Sequence, residues 1–328
     1  MGPKTMFYSV EYDAPEKHVE LDFPFVKPKI HEIVGIGNGL LCLVEYPQEG
    51  GDLMIFAWNP YKKYILSIPA PDDSGSYKTK RYGFGYNKQT NEHKVVCILY
   101  PWGSSQGHVH VCTIGNDWSW KRLDSTFYIS RDHFPNALVS DHFPNALVNG
   151  DPHWIGVSQH QKSILSFSIK NETLQQIQLP GDVLLAIGEL NGFLCVFQHI
   201  PEIGVHIHMM KEYGIKNSWT KQFTIAQLEV PKPLIDHLDP IAILETGEIL
   251  VMRRYNVQLI LYEPVGKSVK KELNSPGFRF KAYRNTKGHI LPGVNIQQMS
   301  ENEEQEIEDE IRKGREETEK GGSRELMD

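Results

Sequence analysis

Residues 34–46 and 53–69 read VGIGNGLLCLVEY and LMIFAWNPYKKYILSIP, and they contain the pattern that decides the fold. Four short apolar runs follow one another, each bounded by Gly, Asn, Asp or Pro, which is typical of β-strands joined by tight turns. The Asn38-Gly39 pair between the first two runs suits a type I′ hairpin, because both central residues of that turn need a positive φ. The segment is therefore predicted to form four antiparallel strands.

The same pattern of four runs recurs along the chain, which indicates a structural repeat. Five units are recognisable, at residues 34–69, 81–124, 146–180, 185–225 and 241–273. A tight turn is expected between the first two strands of a unit, at Asn38-Gly39, Asn149-Gly150, Asn191-Gly192 and Thr246-Gly247. A second turn is expected after the third strand, at Asn59-Pro60, Asn87-Lys88, Asn171-Glu172 and Glu263-Pro264.

Four antiparallel strands per unit are what a blade of a β-propeller requires. Further strand-like segments stand on both sides of the five units, at residues 6–12 and 19–25 and near residues 278–283. The sequence therefore predicts an all-β protein, a β-propeller of about six four-stranded blades. A β-sandwich with additional hairpins is the alternative fold, and the regular spacing of the units favours the propeller.

Residues 297–328 are predicted to be an acidic tail that is separate from the propeller domain, residues 1–296. From Glu301 to Asp328 the chain holds 12 acidic and 5 basic residues and no aromatic residue. Such a segment cannot bury an apolar face, so disorder or a short solvated helix over residues 301–313 is expected. The other 300 residues hold 29 charges of each sign. Nucleic-acid binding is therefore not expected, because it needs a basic surface.

The chain shows no targeting or membrane segment. No apolar run is long enough for a membrane span, and the first residues lack the pattern of a signal peptide. The four cysteines lack metal-binding spacing, so they are expected to be small buried residues in a reducing compartment. They are Cys42, Cys97, Cys112 and Cys195. A cytoplasmic or nuclear protein is therefore predicted, with no membrane partner.

The histidines are the first candidates for chemistry. His108 and His110 alternate along one strand, as do His206 and His208, so each pair is expected to share a face. A metal site also needs a third ligand in a fixed geometry, and the sequence places none. His153 could serve catalysis, but a strand histidine packed on its neighbour is favoured. No metal site is predicted.

Catalytic motifs are missing from the sequence, which has no GxSxG, HExxH or Walker pattern and no GxGxxG opening a helix. Gly83 and Gly85 lie within strand alternation, where they are expected to permit close backbone packing. Asp117, Asp151 and Glu189 fall at turns, without the spacing that ties two catalytic carboxylates together. The sequence therefore predicts no catalytic residue, no cofactor and no enzymatic activity.

The tryptophans divide into two groups. Trp120 and Trp219 both begin a fourth strand and Trp58 stands near the end of a third, which indicates packing between repeats. Trp102 does not recur and lies in a turn-rich loop. It is the candidate for an exposed recognition anchor, because tryptophan often carries binding energy at protein interfaces.

A nonapeptide occurs twice in tandem, as DHFPNALVS at residues 132–140 and DHFPNALVN at residues 141–149. Both copies cannot occupy the same strand, so one is expected to form a loop, which costs little closure entropy. An altered binding loop and an accidental insertion tolerated at a loop tip are both open interpretations. The candidate protein-binding residues in the two copies are His133, Phe134, His142 and Phe143.

The ordered succession of seven stretches resembles one known family. They are VGIGNGLLCL (34–43), AWNPYKKYILSIP (57–69), YGFGYNKQTNEHKVV (82–96), VNGDPHWIG (148–156), ILSFSIKNETLQQIQLP (164–180), LNGFLCV (190–196) and MKEYGIKNSWTKQFTI (210–225). Over roughly residues 6–285 the chain resembles the F-box-associated interaction domain of plant F-box and F-box/kelch-repeat proteins.

The resemblance implies substrate recognition, because this family serves as the receptor for target proteins in SCF-type (cullin–RING) ubiquitin ligases. A helical F-box in front of the domain binds the ligase adaptor in that family. Here five residues precede Met6, so adaptor binding is not expected. The tandem nonapeptide and the acidic tail also depart from the family pattern. A propeller enzyme acting on carbohydrates and a lectin-like binder of small ligands are the alternative functions.

Overall fold

The computed structural model describes residues 7–11, 18–21, 31–45, 54–62, 64–71, 77–101, 106–115, 118–128, 146–158, 161–181, 186–200, 203–226, 238–253, 258–273, 283–284 and 289–291. Within these residues the structure contains 24 β-strands and one short 3-10 turn at Lys216–Ser218. The acidic tail and the predicted boundary after residue 296 lie outside the described residues.

The strands follow one another as four-stranded units between two terminal pairs. The first pair is β1 (Phe7–Glu11) and β2 (His18–Leu21). Blade 1 consists of β3 (His31–Gly37), β4 (Leu40–Glu45), β5 (Met54–Asn59) and β6 (Tyr64–Ile68). Blade 2 consists of β7 (Tyr77–Asn87), β8 (Glu92–Pro101), β9 (Gln106–Thr113) and β10 (Trp120–Tyr128). Blade 3 consists of β11 (Ala146–Val148), β12 (Asp151–Ser158), β13 (Gln161–Ser168) and β14 (Thr173–Gln178).

Two further blades and a last pair complete the described strands. Blade 4 consists of β15 (Ala186–Leu190), β16 (Phe193–Ile200), β17 (Gly204–Met210) and β18 (Trp219–Ala226). Blade 5 consists of β19 (Leu238–Ile243), β20 (Ile249–Arg253), β21 (Gln258–Glu263) and β22 (Ser268–Leu273). The last pair is β23 (Tyr283–Arg284) and β24 (His289–Leu291). Each of the five blades is an antiparallel sheet of four consecutive strands.

A closing sheet joins the two terminal pairs in the order β2-β1-β24-β23. Val10 of β1 lies opposite Ile290 of β24 in an antiparallel register. The first strands of neighbouring blades contact one another, at β3 with β7, β11 with β15 and β15 with β19, and β23 contacts β3. Such an arrangement of first strands is the geometry of a propeller. The prediction of an all-β propeller is confirmed, with five contiguous blades and a four-stranded closing sheet.

The core lies between the faces of adjacent blades. Val34 and Cys42 of blade 1 pack with Tyr82 and Phe84 of blade 2 in one buried cluster. Inner strands are therefore covered on both faces, and all six residues of β4 are buried. Outer strands are partly solvated, and in β14 only Ile177 is buried. This gradient explains why the inner strands read as continuous apolar runs instead of alternating patterns.

The turns confirm one sequence rule and correct two expectations. Both residues of the three Asn-Gly turns have positive φ, with Asn38 at 45° and Gly39 at 82° as an example. At Thr246-Gly247 only Gly247 has a positive φ, so the expected type I′ geometry is wrong there. Asn87-Lys88 joins the first two strands of blade 2 and does not follow the third strand. A four-residue turn replaces the Asn-Gly pair in this blade, and Asn91 supplies its positive φ.

Candidate interaction surface

The two ends of the propeller carry connections of different length. At one end, here called the tight-turn end, connections of two to eight residues join the first strand to the second and the third to the fourth in each blade. At the opposite end, here called the loop end, the second strand connects to the third and each blade connects to the next. The longest interstrand connections, residues 129–145 and 227–237, both belong to the loop end. Long connections on a rigid scaffold are the usual place for binding residues.

The candidate binding residues from the sequence analysis lie outside the described residues, so their role in binding stays a prediction. Trp102 belongs to the connection between β8 and β9, and the other four belong to the connection between β10 and β11. These four are His133, Phe134, His142 and Phe143. The strand topology assigns both connections to the loop end, at blade 2 and its border with blade 3. Both connections therefore start from strand ends at the same end of the propeller.

The recurring tryptophans tie each blade to the one before it. Trp120, at the start of β10, donates its indole N–H to the Pro69 carbonyl oxygen at 2.7 Å. Trp219, at the start of β18, donates to the Gln178 carbonyl oxygen at 2.9 Å in the same way. Trp58 is fully buried in β5. The predicted role in packing between repeats is confirmed for Trp120 and Trp219.

The border between blades 2 and 3 is unusually close. The Trp154 indole N–H donates to the Tyr82 carbonyl oxygen at 3.2 Å. A Cβ at Gly83 would come within 2.6 Å of the Trp154 ring, and a Cβ at Gly85 within 2.1 Å of the Gly150 carbonyl oxygen. The prediction that these strand glycines permit close backbone packing is confirmed.

His153 joins blade 3 to blade 4 and is fully buried. Its Nδ1–H donates to the Asp151 carbonyl oxygen at 2.8 Å, and its Nε2 accepts from the Tyr213 hydroxyl at 2.7 Å. The Ser166 hydroxyl donates in turn to the Tyr213 oxygen at 2.8 Å. Burial lowers the pKa of His153 to about 4. His153 is therefore a neutral, buried imidazole with both nitrogens hydrogen-bonded, which is a structural role. The sequence analysis also favoured a structural histidine over a catalytic one.

The alternating histidine pairs share strand faces as predicted. The rings of His206 and His208 lie edge to face at 6.3 Å, and His208 Nε2 lies 3.1 Å from Gln198 Oε1. His108 is hydrogen-bonded to Arg122 at 2.8 Å. Burial lowers the pKa of each of these three histidines. In the part of the chain that the structure describes, no group of three potential metal ligands occurs.

Two of the three acidic candidates stabilise turns. The Asp151 carboxylate accepts the backbone N–H of Ile169 at 2.7 Å, and that of Glu189 accepts the N–H of Gly192. Asp117 lies outside the described residues. Asp151 and Glu189 hold backbone groups of their own blades, which is a structural role.

The cysteines behave as predicted, since all four are buried and none forms a disulfide. Burial raises the pKa of the Cys42 and Cys195 thiols well above the usual value. The part of the chain that the structure describes contains no candidate membrane-spanning helix.

Sequence reasoning missed two buried polar residues at the border of blades 2 and 3. Arg81 is 4% exposed and Tyr100 is 5% exposed. They lie near the same end of the β7–β8 strand pair, where Tyr100 is opposite Thr79 and Arg81 is opposite Ile98. The sequence signal for Arg81 was its position next to the apolar residues of a core strand. Arginine is almost never fully buried unless it is paired, so a partner for Arg81 could have been expected.

The fold and its inter-blade contacts define the class of protein: the chain is an all-β propeller. More particularly, it belongs to the F-box associated beta propeller domain family, whose model matches residues 3–289. The resemblance read from the sequence motifs is therefore confirmed.

Two similar proteins are F-box proteins of the plant Arabidopsis thaliana. The F-box protein CPR1 of Arabidopsis thaliana is 25% identical over 294 residues, which cover 80% of this chain and 68% of that protein. The F-box protein At3g07870 of the same plant is 26% identical, over 71% of this chain and 63% of that protein. The chain thus spans about two thirds of the length of these relatives. Among solved structures, a putative TolB from Agrobacterium tumefaciens has a TM-score of 0.48 at 8% identity, covering 84% of this chain and 90% of that chain.

Proposed function

We propose that this chain recognises target proteins for an SCF-type ubiquitin ligase, and that the targets bind at the loop end of the propeller. Membership in the F-box associated family is the observation that carries the proposal. The proposal assigns binding to this chain and no catalysis.

The distribution of connections supports the choice of the loop end. Short turns limit the surface that the tight-turn end can vary, while residues 129–145 and 227–237 give the loop end room for recognition. The buried contacts between blades hold the strand ends from which these connections leave. A rigid support of this kind reduces the entropy that binding costs.

A capture experiment with two matched groups of variants tests this assignment. Trp102→Ala and Phe143→Ala alter the loop end, whereas Tyr61→Ala alters a 55% exposed aromatic residue at the tight-turn end. Each purified protein is crosslinked in plant extract, and captured proteins are quantified by mass spectrometry. We expect the first two variants to lose the same specific proteins by about tenfold or more, and Tyr61→Ala to retain them. Retention by all three variants would refute the use of the loop end.

Adaptor binding is a separate property, and its absence stays a prediction. Purification of the chain from plant cells, followed by quantification of adaptor and cullin, measures it directly. We expect neither protein in stoichiometric amounts. Recovery of both at equal ratio to the chain would contradict this expectation and leave target recognition intact. A glycan array, blank under the proposal, addresses the lectin-like alternative.

A further inference from the structure

His206 and His208 lie side by side on the third strand of blade 4. Val205, Ile207 and Met209 alternate with them along β17 and are buried in the cluster that joins blade 4 to blade 5. The two histidines therefore lie on the other face of the strand, towards blade 3. Both side chains are partly exposed, so a small ligand can reach the pair from solvent.

The separation of the two rings suits one shared metal ion. An imidazole nitrogen binds Zn²⁺ at about 2.0–2.1 Å, so two rings on one ion have centroids within about 6.5 Å of each other. The ring centroids of His206 and His208 are 6.3 Å apart, which lies within this range. A modest rotation of either ring brings them closer. Imidazole nitrogens are suitable ligands for copper, zinc and nickel.

Gln198 orients His208 for metal binding. It lies opposite His206 on the neighbouring strand β16, and its Oε1 atom is 3.1 Å from His208 Nε2. An amide oxygen only accepts hydrogen bonds, so Nε2 carries the proton and the lone pair of the neutral imidazole is on Nδ1. A hydrogen bond of this kind fixes the tautomer of a metal-binding histidine and raises its basicity as a ligand.

The chain has a second pair with the same spacing, His108 and His110 on β9, in an opposite environment. His110 is buried. The Arg122 guanidinium donates to His108 Nδ1 at 2.8 Å, so the lone pair of neutral His108 is already engaged. The positive charge of Arg122 also repels a metal ion. This pair is therefore unsuited to metal binding, and it supplies a control from the same chain.

We propose that His206 and His208 bind one divalent transition-metal ion, with Cu²⁺ held more tightly than Zn²⁺. Two imidazole nitrogens hold the ion, and water fills its remaining coordination positions. Cu²⁺ forms the strongest complexes of the divalent first-row metals with a given set of ligands. Metal binding at this pair is a property separate from target recognition.

A copper titration of the purified, tag-free chain tests the site. Calorimetry at about pH 7.5, where a free imidazole is mostly neutral, counts the bound ions. We expect the wild type to bind one more equivalent of Cu²⁺ than His206→Gln or His208→Gln. The electron paramagnetic resonance spectrum of this equivalent should show coupling to two imidazole nitrogens. His108→Gln is the matched control and should bind Cu²⁺ as the wild type does.

Two neighbours of the pair distinguish a built site from histidines that merely attract copper. Gln198→Leu should weaken Cu²⁺ binding by about tenfold, because it removes the acceptor that fixes the His208 tautomer. Lys221 is exposed and lies opposite His208 on β18. Lys221→Met should strengthen binding severalfold, because it removes a positive charge beside the metal ion.

Several results would refute the site. Equal Cu²⁺ binding by the wild type, His206→Gln and His208→Gln would show adventitious binding elsewhere on the chain. Loss of the same equivalent in His108→Gln, or unchanged affinity in Gln198→Leu, would also overturn the assignment. If a histidine variant does not fold, the Gln198→Leu and Lys221→Met titrations still decide, because both substitutions leave the two imidazoles in place.

Discussion

Asp151 and His153 stand two residues apart and respond to acid in opposite ways. Burial lowers the pKa of His153 from its ordinary 6.5 to about 4. Between these values the unfolded chain binds the proton more readily, so stability falls as the pH falls. Burial raises the pKa of Asp151 from 3.8 to about 6. Between these values the folded chain binds the proton more readily, so stability rises as the pH falls. The two effects oppose each other over nearly the same range.

Asp151→Asn isolates the histidine effect. The amide oxygen can still accept the Ile169 N–H, so the turn is retained while the carboxyl titration is lost. We expect the free energy of unfolding to fall between pH 6.5 and pH 4, with a slope approaching about 1.4 kcal/mol per pH unit. The wild type should be flatter in this range. Urea unfolding at several pH values gives the slope.

Asp124→Asn is the control for this comparison, because Asp124 is an exposed residue of β10. It should leave the pH dependence of the wild type unchanged. A profile for Asp151→Asn that coincides with the wild type would mean that the carboxyl does not oppose His153.

At the scale of single elements, the Asn-Gly turns show how closely a dipeptide can determine backbone geometry. Gly192 has a φ of 86°, and an added Cβ would meet no atom within 4 Å. Any cost of Gly192→Ala therefore comes from the backbone conformation alone. We expect this substitution to lower the free energy of unfolding by about 1–2 kcal/mol, because left-handed φ values strain an L-residue. Chemical denaturation measures the change.

Gly181→Ala provides the matched control. Gly181 also has open space around an added Cβ, but it lacks a φ in the left-handed region. Its substitution should be neutral or should stabilise the fold by a few tenths of a kcal/mol, since alanine restricts the unfolded chain. Equal losses at the two positions would contradict the strain argument.

Sequence reasoning succeeded where the determining interaction is local. The Asn-Gly pairs predicted their own turns, and Trp120 and Trp219 predicted contacts between repeats because they recur at the same strand position. It failed at Asn87-Lys88. This unit has no Asn-Gly pair to mark the turn between its first two strands, so the turn at Asn87 was assigned to the wrong pair of strands. The hydrogen-bond partner of His153 could not be predicted either, because Tyr213 is 60 residues away in sequence and belongs to another blade. Burial of Arg81 and Tyr100 likewise depends on how two blades meet.

At the scale of the whole molecule, closure joins the two ends of the described chain. One closing strand was expected near residues 278–283, whereas the structure places two, β23 and β24, beyond or at the end of that stretch. Their pairing with β1 and β2 sets the last sheet beside blade 1 through β23 and β3. Closure of this kind makes every blade depend on its two neighbours, because each sheet then has a neighbouring sheet against both faces.

A covalent link across the closing sheet tests this dependence. Val10 and Ile290 lie opposite each other in β1 and β24, at a separation that suits a disulfide between directly opposed strand residues. We expect the double variant Val10→Cys with Ile290→Cys to form the bond in the folded protein. The link should raise the free energy of unfolding by about 2–4 kcal/mol, since it restrains the unfolded chain across nearly its whole length. Thermal melts with and without dithiothreitol measure the gain.

The register itself supplies the control for this link. Val10→Cys with His289→Cys displaces the pair by one residue, so the two cysteines are no longer directly opposed in the strand register. This variant should neither form the bond nor gain stability. The four native cysteines are buried and should not react in the folded state. Bond formation without any gain in melting temperature would mean that the closing sheet opens before the blades do. Closure would then be a local contact, and the blades would unfold independently of it.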